Sequence, residues 1–299
     1  MTDLIANPKY MEMVVEYAHA VGLKVYPVAC VSTEGGNKVA NSLLRKNPSW
    51  ALYFEGGRKG YIDIGNPDAR AYELALITEL VSKYDIDGLS LDYMRWENRV
   101  AYSDTGREYF LRKHKIDLAE IVSISPDVQL DTEGGKQALS NVTKTAREHP
   151  IWPKWYEWRR EKLNQFMGEL VAAVHKAKPG LPISSYVWGA HTYVGKYETC
   201  QDWKTWISKG WLDWINPSGY RYTDEVFLEV AKNNRALVPK TMPMYVTIGV
   251  RTSHGTLTME DTKRHIAMSK EIGADGVIFF TWEALRGFLP DVSEAIKAY

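Results

Sequence analysis

Apolar residues recur along the chain in two alternating rhythms. After Asn7-Pro8, the residues Met11, Val14, Val15 and Ala18 follow helical spacing, with proline tolerated in the first turn. Gly22 ends this helix, and Leu23–Val31 reads as a mostly apolar strand. Asn66-Pro67-Asp68 opens a second helix through Tyr72, Leu76 and Leu80. It leads through the turn Asp87-Gly88 into a strand that ends Leu91-Asp92-Tyr93. A helix near 156–177 carries Leu163, Phe166, Leu170 and Val174 on one face and precedes a strand at Ile183–Trp188. A shorter helix at Cys200–Lys209 precedes Trp211–Tyr220, and Pro243–Val250 is a further strand. Thr258–Ile272, stopped by Gly273, feeds the last strand from Gly276 to Trp282. Residues 107–122 have helical spacing, whereas Asp131-Thr132-Glu133-Gly134-Gly135 reads as loop.

Buried strands separated by helices describe a parallel β/α architecture. An open doubly wound sheet is the alternative, but it usually carries a glycine-rich phosphate loop. The only candidate, Glu34-Gly35-Gly36, matches no such loop. The expected fold is therefore a (β/α)8 TIM-barrel type, one domain over 1–299, with its active face where the strands end. Six strands are legible against the eight of a closed barrel, so the barrel is expected to be incomplete.

The residues at those strand ends carry the candidate chemistry. Asp92 shares an orientation with Ser90 and faces the barrel interior near the rim, with Arg95 as its obvious partner; an ion pair holding the loop is the plainer alternative. Glu283 ends the last strand beside Trp282, and its plainer alternative is a first-turn helix acid. Glu97 could replace Glu283 as the acid or be a surface charge. His191, Tyr220 and Tyr222 are candidate hydrogen-bonding groups for a substrate, set against solvated or rim-filling roles. Trp188 and Trp282 are stacking platforms or barrel core, and Trp152, Trp155 and Trp158 read as anchors for the helix they open. Carboxylates among aromatics suit hydrolysis of a sugar acetal, which needs one acid for the leaving oxygen and one carboxylate for the oxocarbenium-like centre.

Composition sharpens this. The aromatics are 7 Phe against 11 Trp and 18 Tyr, rings with a polar handle that suit either rims of a large core or a sugar-stacking cleft. With 37 basic and 37 acidic residues in 299, no face is expected to bind nucleic acid or an anionic membrane. No apolar run approaches the ~20 residues of a membrane span. The first residues lack a signal-peptide pattern, which fits a cytoplasmic protein or one whose leader was removed. Cys30 and Cys200 make neither a disulfide scaffold nor an all-cysteine metal site, and His114, His149 and His175 lack zinc spacing, so no cofactor or metal is expected. No serine-hydrolase elbow is present, and Cys200 has no evident histidine partner.

The strand Asp87-Gly88-Leu89-Ser90-Leu91-Asp92-Tyr93-Met94-Arg95 resembles the signature of glycosyl-hydrolase-like family ten, a group of TIM-barrel glycosidase-like proteins. Trp158-Arg159-Arg160-Glu161, the stretch from Gln201-Asp202-Trp203 to Gly210-Trp211-Leu212-Asp213, then Pro217 and Tyr220, and finally Gly273-Ala274-Asp275-Gly276 match in order. The resemblance implies a glycoside-hydrolase-type barrel acting on a polysaccharide or peptidoglycan-type glycan. Family members carry roughly two βα units before the segment like Asn7–Val31, so the first two βα units are expected to be absent here, and the long loop they have after the Asp92-type strand is expected as a long loop insertion at about 98–155. It also implies Asp92 as a functional carboxylate, with Arg95 and Tyr220 near the cleft. A more distant likeness to the chitinase signature fails at Ser90 and Met94, where that pattern has acids. The expected function is glycoside hydrolysis by paired carboxylates on a carbohydrate substrate. The alternative is a non-catalytic carbohydrate-binding relative, and homo-oligomerisation stays open. Deacetylation would need a metal site that the sequence does not supply.

Overall fold

The computed structural model describes residues 7, 9–36, 41–54, 57–97, 100–122, 132–190 and 199–297. In chain order, helix α1 (Tyr10–Ala20) leads to β1 (Val28–Cys30), and β2 (Thr33–Gly36), α2 (Ser42–Lys46), β3 (Ala51–Phe54) and β4 (Gly57–Ile62) follow. Next come α3 (Pro67–Lys83), β5 (Leu89–Asp92), β6 (Tyr102–Ser103), α4 (Asp104–His114), α5 (Leu118–Ile121), α6 (Glu133–Glu148) and α7 (Trp152–Ala177). The second half holds β7 (Ile183–Val187), α8 (Trp203–Ser208), β8 (Trp214–Pro217), α9 (Asp224–Leu237), β9 (Tyr245–Gly249), β10 (Arg251–Thr252) and β11 (Gly255–Thr256). It ends with α10 (Met259–Glu271), β12 (Gly276–Phe280), α11 (Trp282–Leu285) and α12 (Leu289–Lys297).

One parallel sheet runs β1-β5-β7-β8. Parallel bridges at Ile215–Met244 and Ser218–Thr247 extend it to β9, which pairs in parallel with β12. These six strands coincide with those expected from the sequence, in chain order. The outward-facing positions Leu89, Leu91, Ile183, Ile215, Val246 and Ile248 are buried, where the surrounding helices make the main core.

An aspartate clasps the start of three of these strands to the neighbouring strand. Asp87 donates its N–H to Val25 O and accepts the Val25 N–H at Oδ2 (2.9 and 2.7 Å). Asp213 makes the same exchange with Ile183 (2.8 and 2.8 Å), and Asp275 with Met244 (2.9 and 2.9 Å). The glycine that follows two of them makes room for an inward aromatic ring. A Cβ on Gly88 would lie 2.2 Å from the Tyr26 ring, and one on Gly276 would lie 2.8 Å from Tyr245. Tyr26, Trp214 and Tyr245 close this end of the barrel edge to face, with ring centres 5.2 and 6.2 Å apart.

Several local expectations change. The first strand shortens to Val28–Cys30, since Pro27 has no N–H for the ladder. The described residues within 98–155 are largely helical rather than a long loop. Glu133–Glu148 forms a helix because Thr132 Oγ1 caps the Gly135 N–H, so the glycine pair read as loop lies in its first turn. A small antiparallel sheet, β2-β4-β3-β6, covers part of the rim. Its strands are short, two of them contain glycine, and they give no long alternation to read. Among the described residues no helix is long and apolar enough to cross a membrane.

Candidate active site

Parallel alternation aims every second side chain inward, and at the ends of the strands these residues line a cleft of about 460 Å³. Asp92 comes from β5, with Tyr93 and Arg95 on the turn after it. Tyr186 and Trp188 come from the end of β7, and Ser218, Tyr220 and Arg221 from beyond β8. Thr252, Ser253 and His254 of the β10–β11 hairpin and Phe280 of β12 complete the wall.

The turn after Asp92 is built to hold it. Tyr93 has a left-handed φ of 51°, an uncommon conformation for a bulky residue. Its N–H donates to Asp92 Oδ1 at 2.6 Å. Ser32 Oγ, from beyond β1, lies 2.5 and 2.6 Å from Tyr93 O and Arg95 O, its single O–H shared between the two carbonyls, and so pins the turn from the neighbouring strand. Burial pushes the Asp92 carboxyl above the usual carboxylate range, against the Tyr93 N–H and the Arg95 charge, which pull it down.

Arg95 does not close an ion pair on Asp92. Its guanidinium lies between aromatic faces, 4.7 Å from the Tyr93 ring centre and 4.9 Å from that of Trp188. It donates to Trp96 O and Tyr61 Oη. A sandwiched guanidinium keeps its charge while losing most of its water. The Tyr186 and Tyr220 rings meet at 5.8 Å beside Asp92. Burial raises the Tyr186 hydroxyl to about 12 and pushes Tyr220 up further, so both remain proton donors at neutral pH.

Two supports behind the wall escaped the reading of strand ends. Gln201, 3% exposed, accepts the Trp188 N–H at Oε1 (3.0 Å) and donates from Nε2 to Met94 O and Tyr186 O (3.2 and 3.4 Å). It joins the end of β7 to the turn after β5. Arg159 of α7 donates to Glu97 O, lies against the Trp96 ring, and offers its own carbonyl to Trp96 Nε1 at 2.8 Å. Nothing in the sequence marked either as a support beyond their places in the motif order.

The remaining candidates divide. Trp188 and Tyr220 line the cleft with Asp92 and Arg95. Tyr222 stands behind it, bonded to Thr252 Oγ1 and packed over Gly255. Glu97 is buried outside the cleft lining, not a surface charge, and its Oε2 has no hydrogen-bond partner among the described residues. Trp282 is 61% exposed and outside the lining. Glu283 is also exposed; it bonds the first turn of α11 and Thr281, which holds its carboxyl below the usual range. His191 lies outside the described residues. Trp155 and Trp158 are buried in α7 as anchors. Tyr186 and Phe280, the last inward residues of their strands, line the cleft without having been singled out. Strand alternation alone would have found them. Among the described residues no group of three His, Cys, Asp or Glu side chains is placed to hold a metal.

A sequence profile of the family described as glycosyl hydrolase-like 10 matches residues 7–261. Glycosyl hydrolase YngK of Bacillus subtilis strain 168 is 27% identical over 190 residues, which cover 59% of this chain and 30% of that protein. Glycosyl hydrolase DigH of Escherichia coli strain K12 is 23% identical over 246 residues, 72% of this chain and 47% of that protein. The chain therefore spans less than half the length of either relative. Among solved structures, the PgaB (BpsB) glycoside hydrolase domain from Bordetella bronchiseptica superposes with a TM-score of 0.62 at 10% identity, over 96% of this chain and 78% of that one. At that identity the likeness concerns fold alone, and the fold is of the TIM-barrel glycoside hydrolase type.

Proposed function

Because the chain belongs to the glycosyl hydrolase-like 10 family, we propose that it hydrolyses a glycosidic bond in a polysaccharide or peptidoglycan-type glycan, with Asp92 as the essential carboxylate. The observation that carries this reading is the position of Asp92. It sits partly buried at the end of a central strand, in a cleft walled by Trp188, Tyr186, Tyr220 and Phe280. Aromatic faces suit the C–H faces of a sugar, while Arg95, Arg221 and the tyrosine hydroxyls suit its edges. A carboxylate beside the anomeric carbon stabilises or attacks the oxocarbenium-like centre, or acts as base on a water.

Glu283 is the second carboxyl of this proposal, as general acid. Its bonds to its own helix and Thr281 work against that role, since they favour the charged form. That observation favours a second reading, in which the cleft holds a glycan without cutting it. Asp92→Asn and Glu283→Gln separate the possibilities by release of reducing ends from a panel of glycans. Loss in both supports paired carboxylates, and loss in Asp92→Asn alone retains Asp92 and removes Glu283. A wild-type protein that binds glycans without releasing product favours the binding reading.

The same proposal takes the six parallel strands as part of an eight-stranded barrel lacking two βα units between β12 and β1. It is supported by the exposure of inward-facing edge residues, Val28 at 61% and Phe280 at 47%.

A further inference from the structure

Two residues deeper than the cleft along each strand lie Val28, Ser90, Ser184, Asn216, Thr247 and Ile278. Below them is the aromatic plug of Tyr26, Trp214 and Tyr245. This middle layer is polar in four of its six positions, where a packed barrel usually uses branched apolar residues. Ser184, Asn216 and Thr247 stand on three adjacent strands and are 0%, 4% and 4% exposed. Ser184 Oγ, Asn216 Oδ1 and Thr247 Oγ1 are each buried with no hydrogen-bond partner among the described residues.

Leaving one such atom unpaired costs about 1–3 kcal/mol, and native proteins do so rarely. Apolar cavities stay dry, whereas buried sites with two to four polar partners hold ordered water. Ladder pairing sets Ser184 beside Trp214, Asn216 beside Tyr186 and Thr247 beside Ser218, so the three oxygens climb the inner wall strand by strand, with Asp92 one inward step above Ser90, about 7 Å along the strand. We infer that this belt is an internal water-binding site, with ordered water bonded to Ser184, Asn216 and Thr247. On the glycosidase reading, on which this further part rests, the site keeps water on the buried side of Asp92 while a glycan covers the mouth.

The test is a crystal structure of the whole chain that resolves ordered solvent, together with thermal unfolding of the Ser184→Ala/Thr247→Val variant. The expected result is solvent density within about 3 Å of at least two of the three oxygens. The variant should then unfold a few degrees lower, because the bound water loses two partners. A belt without density overturns the inference, and a higher unfolding temperature in the variant is the matching sign of a dry belt. Should the variant not fold, the wild-type density decides. Neither readout uses activity, so an inert protein with a hydrated belt would count against the glycosidase reading and leave the water site standing.

Discussion

The two ends of the barrel treat their acids in opposite ways. Where strands begin, Asp87, Asp213 and Asp275 each exchange two hydrogen bonds with a neighbouring strand. The Val25 N–H and His19 hold Asp87 below the usual carboxylate range. On the side where strands end, exposed Glu283 is held low, but the buried acids are pushed upward. Asp92 is raised, Asp63 reaches about 6 and Glu73 about 8, each chiefly through burial, with Glu34 adding to Glu73. One end uses its carboxylates as satisfied fasteners. The other keeps them under desolvation, which is the state in which a carboxyl group can exchange a proton near neutral pH.

Substitutions at the two ends should therefore separate activity from stability. Asp92→Asn is expected to lower glycan hydrolysis about 10²–10⁴-fold while leaving the unfolding temperature nearly unchanged. A large loss of stability instead would make Asp92 a fastener like Asp87. Gly88→Ala is expected to do the reverse, destabilising by about 3 kcal/mol in chemical denaturation because its Cβ would meet the Tyr26 ring and Pro182 O.

Glu73→Gln probes the upper end. A carboxyl raised to about 8 when folded, against ~4.3 unfolded, binds its proton more tightly in the native state. Stability is then greatest at low pH and falls as pH rises from about 4 towards 8. The glutamine should remove that slope and raise the unfolding temperature at pH 8; an unchanged slope would show that Glu73 does not titrate there. Asp213→Ala should cost only about 1 kcal/mol, since its carboxylate is exposed and competes with water. Combining it with Asp275→Ala should be nearly additive in denaturant titrations, because the two clasps share no partner.

The sequence reads well where one residue decides one contact. Asp-Gly before an apolar run marks a clasp and the space for an inward ring, and the alternation Leu89-Ser90-Leu91-Asp92 orients the acid. All six barrel strands are legible for that reason. The rim sheet is not, because Thr33–Gly36 and Tyr102–Ser103 are short segments organised by antiparallel pairing across distant residues. The site is legible at Asp92, Arg95, Trp188 and Tyr220. Glu283 shows where position at a strand end falls short, since the first turn of α11 offers nearer partners than the cleft does. The role of Gln201 depends on three backbone atoms from two strands, which no local pattern encodes.

Gln201 also sets which parts of the cleft are free to vary. Its bonds lock the Asp92 turn and the Trp188 wall into one unit. The opposite wall, Thr252 to His254, is mounted separately, through the β10–β11 hairpin and the Tyr222–Thr252 contact. On the glycosidase reading, exchanging side chains on that hairpin is expected to alter what the cleft accepts without disturbing Asp92. For redesign, and for divergence among relatives, the hairpin is the interchangeable jaw and the Asp92 side the fixed anvil.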